Sequence, residues 1–428
     1  MSSVFHFSPW DFFFTVLGLV GLVLDIILDI VAVVDFYRDN DLVRLGLLIL
    51  FLVGSSLLVQ SYSWFWYKYD HFNLVSQVEK TPSLSWLKVL HVLQLGTYLR
   101  HMGVMEMAVR KYWAHKGRGS DPGDVAVVLS HDVAMLRIVE AFSESLPQLV
   151  LMVSTNIQRG HLDTVPVLKA VASASFVSFT VMSYHRSLRS FLKDKRKQTL
   201  ASSGVYFLWN FVLIAARVTA LALFASALPC YVAAHLLCSW TLLLVCAWSC
   251  QTNFMDSKGG EVLYRCTVAL IWYFSWFNVV DGNTRRRVVL YHGYVLADMA
   301  LLCGLWFWTV TSDLAHFNYQ HLIVLVCVLF VYILGLFIKS VYHHCFHPNV
   351  TSKDLKEEQE EQEQEEQEQE EQVEEEQVEE ETGRAADVVD HMFRSAGTPA
   401  DVVYDIQRSP SVKKTNKRMR KLAESFYS

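Results

Sequence analysis

The sequence has 428 residues, of which 52% are hydrophobic, 13% aromatic and 19% charged, and its mean hydropathy is +0.25. Apolar runs of about twenty residues, the length that a helix needs to cross a bilayer core, recur as far as residue 345 and exclude a soluble globular domain. The net charge of −6 says little about the apolar part, because 16 of the 43 acidic residues lie in a Glu/Gln-rich block at 356–381. We therefore predict an all-α polytopic membrane domain over residues 1–346 and a disordered cytosolic tail over 347–428.

The distribution of basic residues between the apolar stretches limits how many of them cross the membrane. The segments 110–124, 187–199 and 285–287 carry four, five and three basic residues, and the positive-inside rule places all of them in the cytosol. With a cytosolic N-terminus, the stretches 84–109 and 261–281 must then enter and leave on the same side. The sequence thus predicts eight transmembrane helices plus two re-entrant helical segments, in two pseudo-repeats, with both termini cytosolic.

The first predicted transmembrane helix, "WDFFFTVLGLVGLVLDIILDIVAVVDF", carries aspartates within its apolar sequence. Asp25 and Asp29 are four residues apart, and Asp11 precedes Asp29 by eighteen residues, which is about five helical turns. All three side chains are therefore expected on one face of the helix. A charge at the centre of a membrane helix costs roughly 2.5–3.5 kcal/mol on insertion scales, so this face is expected to lie inside the bundle.

The third predicted transmembrane helix is charged as well. Arg137, Glu140 and Glu144 have the spacing i, i+3, i+7, which places them on one helix face. Pro147 removes a backbone hydrogen bond and predicts a kink or break there. Further charges inside apolar stretches are Arg100, Arg217 and Asp298. Two interpretations remain open: ion pairs that set the register of helices, or a ladder of polar groups that guides a charged lipid headgroup.

Motifs of catalysis and cofactor binding are not found. The sequence has no Walker loop, no Rossmann fingerprint, no HExxH and no GxSxG, so we expect neither an enzyme nor a bound cofactor or metal. The eight cysteines have no CxxC or Cys/His ligand spacing, and most are expected to be small core residues. Cys230, beside Pro229, is the one plausible thiol for an intermolecular disulfide.

The tail contains two features after the Glu/Gln block. Asp387-Val388-Val389-Asp390 matches the DxxD pattern that executioner proteases of the caspase-3 type cleave, and an exposed flexible segment suits proteolysis. The chain ends "SVKKTNKRMRKLAESFYS". This end is either a short amphipathic helix that docks on the membrane or covers the cytosolic side, or an unstructured basic segment attracted to anionic lipid.

Several of these motifs resemble the XK-related protein family. They are "SESLPQLVLM" (143–152), the aspartate-bearing first helix, "WFNVVDGNTRRRVVLYH" (276–292) and the DxxD tail, and the resemblance covers residues 10 to about 345. It implies eight spans with two re-entrant segments, and a phospholipid scramblase that exposes phosphatidylserine at the plasma membrane when apoptotic caspases remove the tail. It also implies, in some members, a single-span immunoglobulin-type partner of the basigin/neuroplastin kind. By resemblance, candidates for a charged path across the protein are Asp11, Asp25, Asp29, Arg100, Glu140, Arg217 and Asp298.

The alternative function is a different class of protein. The chain would then be a non-scrambling membrane partner, as the founding XK protein is for the Kell glycoprotein, or a solute transporter. In the first case the intramembrane charges would be structural pairs and Cys230 would link to the partner. Dependence of scrambling on the DxxD motif favours the scramblase, and a disulfide adduct through Cys230 favours the partner role.

Overall fold

A computed structural model describes residues 8–72, 74–113, 122–160, 164–191, 198–279, 284–312 and 319–346, and the predicted tail at 347–428 lies outside them. The described residues form helices and connecting turns, without a β-strand. Their α-helices are α1 (Pro9–Arg38), α2 (Leu42–Tyr69), α3 (Gln77–Lys80), α4 (Leu84–Val92), α5 (Gly96–Trp113), α6 (Pro122–Glu140), α7 (Leu146–Arg159), α8 (Thr164–Phe191), α9 (Leu200–Ala227), α10 (Pro229–Ser249), α11 (Lys258–Phe274), α12 (Arg285–Ser312) and α13 (Tyr319–Val341).

Membrane-spanning helices dominate the structure. Among the described residues, seven helices are long and apolar enough to cross a bilayer: α1, α2, α8, α9, α10, α12 and α13. Large apolar side chains such as Ile30, Leu50 and Phe337 are exposed on these helices, as a lipid-facing surface requires. The chain is therefore a polytopic all-α membrane protein, as predicted, and the count of eight spans remains a prediction.

The predicted third span is a continuous helical stretch over residues 122–159 that changes its winding in the middle. α6 and α7 are joined by a π-helical segment, Ala141–Ser145, in which the Leu146 N–H donates to the Ala141 carbonyl. The Ser143 hydroxyl lies 2.7 Å from the Val139 carbonyl oxygen and thus satisfies a backbone acceptor next to the irregular turn. The interruption predicted from Pro147 takes this form, because a π-helical turn accommodates a residue that cannot donate.

The two predicted re-entrant segments differ in structure. The first is a helical hairpin, since α4 and α5 are separated by a turn in which Gln94 has a φ of 64°. The second is the single helix α11, followed by non-helical backbone over 275–279. The predicted order of two spans, one re-entrant segment and two spans is found twice along the chain. The first set is α1, α2, α4–α5, α6–α7 and α8, and the second set is α9, α10, α11, α12 and α13.

Helix α9 forms the centre of the bundle. It packs against α7, α8, α10, α12 and α13, and it is the most buried of the seven membrane-spanning helices. Its sequence "IAARVTALALFASA" (214–227) is rich in alanine, and small residues allow neighbouring helices to approach closely. The principal hydrophobic core is built around α9 from residues of α2, α6 to α13 and the segments that join them.

A close crossing of α1 and α8 gives a testable prediction at Gly21. An ideal Cβ on Gly21 would lie 1.7 Å from Cε2 of Phe176, whose ring stacks on Phe179. We expect Gly21→Ala to lower the free energy of unfolding by about 1–3 kcal/mol through overpacking. Gly18→Ala is the matched control, because nothing lies within 4 Å of its Cβ position. Thermal unfolding in detergent measures both variants, and equal stability would show that the crossing is not tight.

Candidate functional site

Four carboxylates line one cavity inside the first half of the bundle. Its volume is about 190 Å³, and its walls come from α1, α2, α5, α6, the turn between α4 and α5, and the π-helical segment. Asp25 and Asp29 face it from α1, Glu140 faces it from the end of α6, and Glu144 faces it from the π-helical segment. The periodicity of α1 and α6 brings the members of each pair to one side. We refer to this space as the acidic cavity.

Arg137 is the cation that contacts these carboxylates. Its Nη1 lies 2.7 Å from Oε2 of Glu140, and its Nη2 lies 3.5 Å from Oδ2 of Asp25. The guanidinium also stacks over the ring of Phe176, with 5.3 Å between Cζ and the ring centroid. One buried cation therefore serves two of the four carboxylates, and the acidic cavity keeps an excess of negative charge.

The other two carboxylates contact each other and neutral polar side chains. Asp29 interacts with the side chains of Gln148 and Glu144, and Glu144 interacts with Ser55. Glu144 is buried, which explains why it is carried on the irregular turn before Pro147: that turn directs its side chain into protein and away from lipid.

A second cavity adjoins the acidic cavity. It has a volume of about 110 Å³ and lies between α1, α5, α6 and α8. His101 lines both cavities, and Arg137 lines the second one. Three of its hydroxyls, from Ser130, Ser183 and Ser187, are buried and have no hydrogen-bond partner among the described residues. Most of its wall is apolar, with Phe14, Leu19 and Phe176 among the lining residues. We refer to it as the hydroxyl-lined cavity after these three serines.

Asp11 lies at the far end of the hydroxyl-lined cavity. Its carboxylate accepts from Nη2 of Arg186 at 3.4 Å, and Arg186 also donates to the Ser203 hydroxyl at 2.8 Å. Asp11 and Asp29 are separated by eighteen residues of α1, which is about 27 Å of helix. This length approaches the roughly 30 Å of a bilayer core. Together the two adjoining cavities form what we call the polar corridor, which follows one face of α1.

Arg100, on α5, lines neither cavity of the polar corridor. Its Nη1 donates to Asp132 at 3.0 Å, its Nε donates to the Ser63 hydroxyl at 2.9 Å, and the guanidinium stacks 3.8 Å from the Tyr67 ring centroid. The arrangement ties α5 to α2 and α6. Arg100 therefore acts in this structure as a buried connection between helices.

Arg217 and Asp298 form a separate cluster in the second half of the bundle. Arg217 Nη1 donates to Asp298 at 2.6 Å, and its Nε donates to the Tyr273 carbonyl oxygen at 3.1 Å. His235 also belongs to this hydrogen-bond network, with Nε2 2.9 Å from Asp298 and Nδ1 3.0 Å from the Tyr273 hydroxyl. The cluster joins α9, α10, α11 and α12, and it lines neither cavity of the polar corridor.

The structure thus divides the residues predicted from sequence into groups. The polar corridor brings together six of them: Asp11, Asp25, Asp29, Arg137, Glu140 and Glu144. The remaining three membrane candidates, Arg100, Arg217 and Asp298, lie in the two clusters outside it. Asp387 and Asp390 lie outside the described residues.

Some residues of the polar corridor were missed by sequence reasoning. Gln60, Gln94, Thr97 and Tyr98 line the acidic cavity, yet uncharged polar residues are common in helices and give no distinct signal. Arg186 was not among the residues predicted from the sequence. Its pairing with Asp11 depends on how α1 and α8 are placed in space, which periodicity within one helix does not specify.

Fold and site together define a polytopic helical membrane protein with a charged, enclosed interior. The family model of the XK-related proteins matches residues 13–348, so the chain belongs to the XK-related family. It is 42% identical to XK-related protein 8 of Tetraodon nigroviridis over 360 residues, which cover 83% of this chain and 88% of that protein. It is 41% identical to XK-related protein 8 of Gasterosteus aculeatus over 81% and 87%, and 33% identical to that of Pan troglodytes over 79% and 84%.

Proposed function

We propose that the protein is an ATP-independent phospholipid scramblase of the plasma membrane that exposes phosphatidylserine during apoptosis. The observation that carries the proposal is the polar corridor, in which buried charges and hydroxyls follow α1 through a bundle with an apolar outer surface. Charges at this depth are costly and usually mark a pathway for a polar substrate. The XK-related family membership supports the proposal, because scramblases are known in this family.

The mechanism is passive. The phospholipid headgroup passes along the polar corridor while the acyl chains stay in the surrounding hydrocarbon, so the charged group exchanges water for fixed polar partners. Asp11 and Arg186 hold one end, and the carboxylates with Arg137 hold the other. Because no energy source enters this scheme, lipid flow follows the concentration gradient in both directions.

The C-terminal tail regulates scrambling in this proposal. We propose that a caspase-3-like protease recognises the motif Asp387–Asp390 and cleaves after Asp390. Cleavage removes residues 391–428 together with their basic end. In the intact chain this end docks on the cytosolic side and keeps the pathway closed, and cleavage releases it. A single-span immunoglobulin-type partner of the basigin/neuroplastin kind delivers the protein to the cell surface in this proposal.

Scrambling in liposomes tests the proposed function. Three samples are compared with fluorescent phospholipid and a membrane-impermeant quencher: the intact chain, the chain that ends at Asp390, and Asp390→Ala after treatment with an executioner caspase. We expect quenching of inner-leaflet lipid only with the truncated chain. If the partner protein is also present and no sample scrambles, the proposed function is wrong.

A second candidate function has its own structural support. The pairs Arg100–Asp132 and Arg217–Asp298 are closed, buried connections between helices. Such connections suit a membrane partner protein that does not scramble lipid. Cys230, which is exposed at the start of α10, would then form the covalent link. A disulfide adduct that Cys230→Ser abolishes, in the absence of scrambling, would favour this candidate.

A further inference from the structure

We infer that the acidic cavity is a subsite for the ammonium group of phospholipid headgroups, as found in phosphatidylserine, phosphatidylethanolamine and phosphatidylcholine. The inference rests on the proposed function and adds to it a preference between lipids. It concerns the chemistry of four carboxyl groups with one guanidinium around a cavity of about 190 Å³.

The balance of charge is the first argument. Arg137 reaches Glu140 and Asp25 but not Asp29 or Glu144. Asp29 and Glu144 interact with each other, and such a pair keeps a negative charge even when it shares one proton. Because an unpaired buried charge is unfavourable, this pair attracts a mobile cation. A headgroup ammonium is a cation that a lipid brings with it.

An unpartnered polar atom is the second, independent argument. Gln60 is 6% exposed and lines the acidic cavity. Its Nε2 donates to the Thr97 hydroxyl at 3.0 Å, and its Oε1 has no hydrogen-bond partner among the described residues. A buried acceptor without a donor is unusual in a folded protein, and a donor group that enters the cavity would satisfy it after a small movement of the amide.

The surrounding groups suit both kinds of ammonium. A primary ammonium has three N–H donors, and the carboxylates of Asp29 and Glu144 with Oε1 of Gln60 supply three acceptors in one cavity. Tyr98 also lines the cavity and offers an aromatic ring, the kind of group that attracts a quaternary ammonium.

The adjoining cavity suits the other end of the headgroup. Arg137 and three hydroxyls without partners, on Ser130, Ser183 and Ser187, line the hydroxyl-lined cavity. Guanidinium and hydroxyl groups are donors for phosphate oxygens. A phospholipid that has both a phosphate and an ammonium therefore matches the two cavities in order, whereas a headgroup that ends in hydroxyls leaves the carboxylates without a cation.

Phosphatidylserine and phosphatidylglycerol provide a direct test, because both carry a net charge of −1 and only the first has an ammonium. The chain that ends at Asp390 is reconstituted with acyl-labelled versions of the two lipids, and their scrambling rates are compared. We expect phosphatidylserine to move about tenfold faster, which corresponds to about 1.4 kcal/mol. Equal rates would overturn the inference and leave the scramblase function intact, and movement of neither lipid would overturn both.

Variants assign the preference to the acidic cavity. Asp29→Asn with Glu144→Gln removes the negative charge of this pair with little change of shape, and the ratio of the two rates is expected to fall to about one. Gln60→Met removes the free acceptor and is expected to lower the ratio in part, which keeps the test open if the double variant does not fold. Asp35→Asn is the control, since Asp35 lies on α1 outside both cavities and pairs with Lys169. An unchanged ratio in variants that scramble would overturn the assignment.

Discussion

Arg137→Gln is expected to lower the free energy of unfolding by about 3–5 kcal/mol, as is usual when one partner of a buried ion pair is removed. The side chain of Arg137 is 9% exposed and contacts Glu140 and Asp25 directly. Its removal leaves four carboxylates around one enclosed cavity with repulsion and no guanidinium to offset it. Thermal unfolding in detergent, together with the amount of folded protein at the cell surface, measures the loss.

Two further substitutions separate charge from shape at this position. Arg137→Lys keeps a cation but loses the planar fork, so we expect an intermediate loss. Arg110→Gln is the control on α5, because the Arg110–Glu106 pair is 46% exposed at the arginine side chain and is expected to contribute at most about 1 kcal/mol. If Arg137→Gln were as stable as Arg110→Gln, the carboxylates would not depend on Arg137.

Arg217→Met is expected to have a comparable effect in the second half of the bundle, about 3–5 kcal/mol. The Arg217 side chain is 1% exposed, and its loss leaves the buried carboxylate of Asp298 with His235 as its remaining hydrogen-bond partner among the described residues. The hydrogen bond from Nε of Arg217 to the backbone carbonyl of Tyr273 is lost as well.

A double-mutant cycle shows whether this cost comes from the ion pair. Arg217→Met with Asp298→Asn removes both charges and is expected to be more stable than Arg217→Met alone, since no unpaired charge remains. Arg159→Met breaks the exposed Arg159–Asp39 pair and is the control, with an expected loss of less than about 1 kcal/mol. Strict additivity in the cycle would contradict a direct coupling between the two residues.

Features that depend on one helix were predictable from the sequence. The spacing of Arg137, Glu140 and Glu144 predicted a shared face, which the Arg137–Glu140 contact and the common cavity of the two glutamates confirm. Pro147 predicted an irregular turn, although the π-helical form of the preceding segment was not foreseen. Such features follow from backbone geometry over a few turns.

Pairing between helices was not predictable in the same way. Asp11 contacts Arg186, which is 175 residues away, and Arg217 contacts Asp298, which is 81 residues away. The sequence contains the charges but not the crossing of α1 with α8 or of α9 with α12, because these depend on packing of the whole bundle. Asp132 escaped attention for the same reason: its role appears only when Arg100 is placed beside it.

The measurement that tests the polar corridor most directly is scrambling by Gly18→Phe in the chain that ends at Asp390. Gly18 lines the hydroxyl-lined cavity, and nothing lies within 4 Å of its Cβ position, so we expect a phenylalanine ring at this position to enter the cavity. Val20→Phe, at a residue 48% exposed on the same helix, is the matched control. We expect Gly18→Phe to scramble no faster than protein-free vesicles and Val20→Phe to match the unsubstituted chain. Undiminished scrambling by a folded Gly18→Phe protein would show that lipid headgroups do not pass through this cavity.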